Sequence, residues 1–259
     1  MDTSVRNVLL LAGNTLRELL RSKLLYNLLL FAVLLIASSS FVAQLTIGQW
    51  DRIILDMGLA AIEVAGLLTS VLIGVGLITN EIERRTVLPT LAKPVSRSSF
   101  LLGRYLGLLT VLTINVLVML GVLALVLHFA GYQLNLVTVQ AALLIFVELA
   151  LMAAVSIFFA SFSTTMLASA YSLSFFLIGH LLSDLKAFGK RSPSELTKML
   201  TGFFYWLLPD LELLNLKAQS ANGLAVSGES VLWAALYGVV YSAVLLSLAT
   251  VIFARRDLR

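Results

Sequence analysis

Apolar residues in this chain run in long blocks rather than in short alternations. Six blocks, at 24–47, 57–79, 100–128, 137–160, 165–183 and 230–254, are apolar almost throughout. A helix needs roughly 20 such residues to cross a bilayer, so each block is a candidate span. Two connections are short, "AGYQLN" between the third and fourth and "SFSTT" between the fourth and fifth. Ahead of the first span the pattern changes. From Ser4 to Lys23, Val5, Val8, Leu9, Ala12, Leu16, Leu19 and Leu20 recur at helical spacing, with Arg6, Asn14, Arg17, Glu18 and Arg21 largely opposite. This predicts an amphipathic helix over 4–23, lying in the membrane interface. A seventh apolar run, Lys198 to Leu216, is cut short by Pro209, Asp210 and Glu212. It is too short to cross, and its aromatic group from Phe203 to Trp206 suits an interface, so it reads as a re-entrant or interfacial segment.

Composition strengthens this reading. Hydrophobic residues make up 59% of the 259, charged residues 12%, and the mean hydropathy is +0.98. A soluble domain carries about 45–50% apolar and about 25% charged residues. The expectation is an all-α integral membrane protein forming a single transmembrane domain over 1–259. Arg17, Glu18, Arg21 and Lys23 interrupt any apolar leader, so no cleavable signal peptide is expected. The absence of Cys excludes disulfides and thiolate metal sites.

The net charge of +4 comes from basic residues scattered at span ends, which argues against a nucleic-acid partner. With six spans, twelve Lys and Arg fall on the side of the termini and six on the other. A seventh span would change this to ten against eight. The positive-inside rule therefore favours six spans with both termini cytoplasmic. It leaves residues 184–229 as one long extracytoplasmic loop.

Charge is concentrated in one connection, 80–99, with the sequence "NEIERRTVLPTLAKPVSRSS". Asn80 to Leu88 can extend a helix beyond the membrane, Pro89 and Pro94 disfavour helix at the residues before them, and Ser96 or Ser98 can cap the third span. Glu81 and Glu83 supply carboxylates, while Arg84 and Arg85 supply forked donors for bidentate pairing. A short, stiff, mixed-charge element suits a protein contact. The plain alternative is a solvated basic loop.

Within the spans, Glu63 and Glu148 are the notable charges. A charge near the bilayer centre costs about 2.5–3.5 kcal/mol on insertion scales, so such residues face the bundle or water. Asn115, in the middle of the third span, is a candidate partner for Glu148, and the three together form a candidate intramembrane polar path. Snorkelling towards the outer face is the simpler reading of Glu63. His180 and Asp184, one helical turn apart at the outer end of the fifth span, form a candidate pair. It reads first as an interfacial hydrogen bond that ends the span. No metal site, catalytic set or G-x-x-x-x-G-K-[ST] phosphate loop is expected, so the chain is not expected to be an enzyme.

The charged loop resembles the first cytoplasmic loop of ABC-2-type transporter permeases. The residues that carry the likeness are Glu81, Glu83, Thr86, Leu91-Ala92-Lys93-Pro94, Ser96-Arg97, Phe100-Leu101, Gly103-Arg104-Tyr105 and Gly107, with Arg85 where the family commonly has Gly. "LIGHLLSDL" (177–185), "YWLLPDLELLNLK" (205–217) and "VIFARRDL" (251–258) extend it, in the branch that includes the permease serving nitrous oxide reductase maturation. The resemblance implies a homodimer of six-span permeases in the inner membrane, seated on separate ATP-binding subunits. It implies a coupling helix between spans two and three, with Glu81, Glu83, Arg84, Arg85, Thr86, Lys93, Pro94 and Arg97 as its contact residues. The N-terminal helix would be a second interface element. ATP and Mg would be held by the partner, and this chain would bind no cofactor. Membrane lipids and a periplasmic protein are the further expected partners. Export, or conformational work across the membrane, is the expected activity. The alternative is an ATP-independent carrier or an envelope scaffold, but the inverted pair of broken helices typical of carriers is not visible.

Overall fold

The computed structural model describes residues 3–45, 49–83, 96–191 and 194–255. Among the described residues ten helices follow in order: α1 (Thr3–Leu19), α2 (Lys23–Gln44), α3 (Trp50–Leu68), α4 (Gly74–Glu83), α5 (Arg97–Phe129), α6 (Leu136–Ala160), α7 (Thr165–Arg191), α8 (Glu195–Leu207), α9 (Lys217–Ala221) and α10 (Gly228–Arg255). A π-helical turn, Thr69–Ile73, joins α3 to α4, and a 3₁₀ turn spans Leu211–Leu214. No strand occurs among the described residues.

Among the described residues six segments are long and apolar enough to cross a membrane: Lys23–Gln44, Trp50–Asn80, Arg97–Phe129, Leu136–Ala160, Thr165–Gly189 and Gly228–Arg255. The second and fourth are the core. Their apolar windows are 78% and 72% buried, against 22% in the first and fifth. Spans one, three, five and six surround this pair and turn Leu30, Leu34, Leu117, Leu177 and Val240 outward, as lipid-facing helices do.

Several helices outrun their apolar blocks. The second span begins at Trp50 rather than 57, and the fifth continues past 183 to Arg191. The added turns carry Asp51, Arg52, Asp56, Asp184 and Lys186. Hydropathy follows the solvent around a helix, whereas the backbone hydrogen bonds continue into the interface.

α1 stops at Leu19, and a break at 20–22 precedes α2, so the expected 4–23 helix is shorter at its end. It lies along the start of α5. A Cβ on Gly103 would come within 2.6 Å of Leu11 Cβ, and one on Gly107 within 2.5 Å of Thr15 Cβ. The two glycines, four apart, form the small-xxx-small groove that lets two helix backbones approach closely. Between them, Arg104 donates to Thr15 Oγ1 (3.1 Å) and to Glu18 Oε2 (2.7 Å).

At the opposite end of the bundle, α8 packs along α7 and ends at Leu207, two residues before Pro209. The chain then folds back over the core. Asp210 accepts from Ser183 Oγ (2.8 Å), and its backbone N–H donates to the Tyr237 hydroxyl (3.0 Å). Ser220 of α9 pairs with Thr138 at the start of the fourth span (2.9 Å).

Candidate functional site

The two core spans meet closely at Gly66, where an added Cβ would collide with the Leu149 side chain. Ser70 spans the same junction: its hydroxyl reaches Gly66 O (2.9 Å) and Leu149 O (3.2 Å). Hydroxyls that bond carbonyls four residues back compete with the helix ladder and bend it. Thr69 does the same to Ala65 O (2.8 Å), and here the ladder widens into the π turn. Such turns are frequent at functional sites. One turn before Gly66 stands Glu63, and next to Leu149 stands Glu148. The close approach therefore brings two acids from different spans into one place.

The third member comes from the fifth span. Gly179 leaves room for Leu211 of the folded-back segment, whose Cδ1 would lie 2.7 Å from an added Cβ. Its neighbour His180 turns inward. His180 Nε2 stands 3.4 Å from Glu63 Oε1 and 3.5 Å from Glu148 Oε1. Its Nδ1 faces Phe176 O at 3.3 Å. Lys217, first residue of α9, donates to Glu63 Oε2. Glu63 and Glu148 are 4% and 1% exposed. Among the described residues, Glu148 Oε1 and His180 Nε2 are buried without a hydrogen-bond partner.

The arrangement regroups the expected residues. Glu63 does not snorkel: it is buried, and a lysine comes to it. Glu148 does not bond Asn115, whose buried Nδ2 has no partner among the described residues. Among the described residues His180 makes no ion pair with Asp184, which is exposed; it pairs across the bundle instead. Lys217 was counted only as an outer basic residue. Its role rests on the fold-back after Pro209, which helical spacing does not reveal.

The charged connection is partly described. α4 carries the chain to Glu83, so the helix does extend beyond the apolar run. Nothing is described of the Glu81 and Glu83 side chains, and Arg84, Arg85, Thr86, Lys93 and Pro94 lie outside the described residues. At the loop's exit Ser96 caps α5, accepting from Ser99 N at 3.1 Å. Arg97 reaches across to the last span and donates to Phe253 O (2.8 Å) and Ala254 O (2.9 Å). A guanidinium there answers the free carbonyls and the negative pole of a helix end. Phe100 stacks on Phe253 alongside, with centroids 6.0 Å apart. At the loop's entrance, Thr165 Oγ1 donates to Thr79 Oγ1 (2.8 Å), tying α4 to the start of the fifth span.

No curated protein matches the chain. The family model for the ABC-2 family transporter protein matches residues 9–258, from within α1 to beyond the described end of the last span. With six apolar spans and a match of that extent, the chain belongs to the ABC-2 transporter family and is a multi-pass permease subunit of an ABC transporter.

Proposed function

We propose that this permease is driven by a separate ATP-binding cassette subunit that seats on the 80–99 connection, with both termini on the same cytoplasmic side of the inner membrane. Two copies of the chain on two ATPase subunits would form the working unit. Closure of the ATPase dimer around ATP would push the connection, and the spans would rock in response. The output is export, or conformational work delivered to the opposite face.

The observation that carries this reading is how the connection's two ends are tied to the bundle. Thr79–Thr165 links its entrance to the fifth span, and Arg97 with Phe100 links its exit to the sixth. Through α5 the exit also bears on α1. A displacement at 80–99 is thus passed to spans two, three, five and six at once. A loop that merely turned the chain would need no such bracing.

The test is charge reversal in the connection. Glu83→Arg with Arg84→Glu, in the assembled complex, is expected to lower stimulated ATP hydrolysis while leaving insertion and thermal stability unchanged. Normal stimulation in a well-folded double variant would overturn the coupling role.

A further inference from the structure

We propose that Glu63, Glu148 and His180 form a binding site for a divalent transition cation of the zinc class. The argument begins with the imidazole. A carbonyl oxygen only accepts, so the contact with Phe176 O requires a proton on Nδ1. In the neutral ring Nε2 then presents a bare lone pair. It faces Glu63 Oε1 and Glu148 Oε1, which are lone-pair donors as well. Three donor atoms from three spans thus converge, all within 4.8 Å of one another, in a site whose most buried carboxylate oxygen has no partner. Lys217 supplies one positive charge, on Glu63 Oε2, and the three converging donor atoms leave room for a second centre between them.

The distances distinguish the kinds of centre. A proton on Nε2 would make an N–H bond directed at one oxygen, at about 2.7–3.2 Å. The two separations here are 3.4 and 3.5 Å, nearly equal, and both beyond that range. Zinc bonds of about 2.0–2.2 Å to nitrogen and carboxylate oxygen set tetrahedral edges of roughly 3.3–3.6 Å. The two separations from His180 Nε2 are of that size, and the two carboxylate oxygens lie within 4.8 Å of each other. Three protein ligands with a fourth position open is the pattern of a site that exchanges ligands. With no Cys in the chain, hard oxygens and one imidazole favour a divalent ion over a soft monovalent one.

The outer layer fits as well. Ligating imidazoles donate their other ring N–H to a carbonyl or carboxylate, and ligating carboxylates are themselves hydrogen-bonded. Nδ1 on Phe176 O and Lys217 on Glu63 Oε2 occupy those two places. Lys217 approaches the oxygen that the site does not use. The two carboxylates offset the divalent charge in the core of the bundle, and with Lys217 on Glu63 the occupied site carries one net positive charge. Because each donor sits on a different span, a bound ion ties spans two, four and five together, and its affinity reports their relative positions. This proposal is independent of the coupling role of 80–99.

The experiment uses the full chain, purified without a polyhistidine tag into nanodiscs. Co2+ and Zn2+ are added after chelator treatment, and bound metal is counted by mass spectrometry and followed by the visible absorption of Co2+. One ion per chain with tetrahedral Co2+ bands is expected. Glu148→Gln should abolish the bands with unchanged helicity. Lys217→Met, which touches only the outer oxygen, should weaken binding on the order of 10–100-fold. No binding by the wild type at excess metal, or equal binding by Glu148→Gln, overturns the proposal. A second readout needs no variant: X-ray absorption of the zinc-loaded wild type should show one imidazole among oxygen ligands, and an all-oxygen shell would sink the assignment.

Discussion

The two ends of the bundle each hold an accessory segment against the spans, by opposite means. At one end α1 lies on Gly103 and Gly107, and its docking rests on backbone proximity. At the other, residues 209–221 lie on Ser183, Thr138, Tyr237 and Glu63, and the docking rests on directed polar bonds. A glycine groove is dry, graded and tolerant of small shifts, since dispersion accumulates over many contacts. A buried polar set is closer to all-or-none, because each group left without its partner costs its full desolvation. The first mode suits a segment that must stay attached while the third span moves. The second suits one whose release is a discrete event.

The largest expected effect comes from breaking the polar docking. Lys217→Met leaves Glu63 buried without its cation, and removing one member of a buried pair costs about 3–5 kcal/mol. Chemical unfolding in detergent micelles should show that loss. Adding Glu63→Gln should recover part of it, since the two effects couple within one pair. A Lys217→Met protein as stable as wild type would mean that the segment is held by packing alone.

The groove should respond to bulk instead. Gly103→Leu with Gly107→Leu forces side chains into α1, and overpacking of this kind costs about 1–3 kcal/mol per site. Limited proteolysis should then cleave α1 while the spans stay protected. Survival of the native cleavage pattern would show that the groove is not what seats the helix.

Smaller effects sharpen the contrast. Ser96→Ala removes the cap of α5 beside the 80–99 connection and should cost about 1 kcal/mol in thermal unfolding. Glu18→Gln removes the partner of Arg104, but Glu18 is 61% exposed. An exposed pair is worth about 0–1 kcal/mol, and the loss should shrink further in high salt. A large effect there would move the docking of α1 from packing to charge.

Much of this was legible in the sequence, and the two ends differ in that respect too. The six spans follow from apolar runs, because lipid makes burial of backbone groups a local, one-dimensional problem. The end of α8 before Pro209 was equally readable, since proline removes a donor and restrains its predecessor. Gly103 and Gly107 stood out as a motif, and the structure supplies its reason. The charge cluster was legible only as parts. Glu63, Glu148 and His180 each drew attention singly, but depth along a span gave Asn115 as a partner and helical spacing gave Asp184. The faces of the two core spans meet at Gly66 and Ser70, and Gly179 seats Leu211 of the folded-back segment beside His180. That information lies between helices and in no single period.

The most direct test of the central claim is to extract the intact protein gently from its native membrane and assay what accompanies it. The account predicts a stoichiometric subunit with vanadate-sensitive ATP hydrolysis, whose stimulation falls when Glu83 and Arg84 are reversed. A chain that emerges alone from several mild detergents and from nanodiscs, with no associated ATPase, would contradict it.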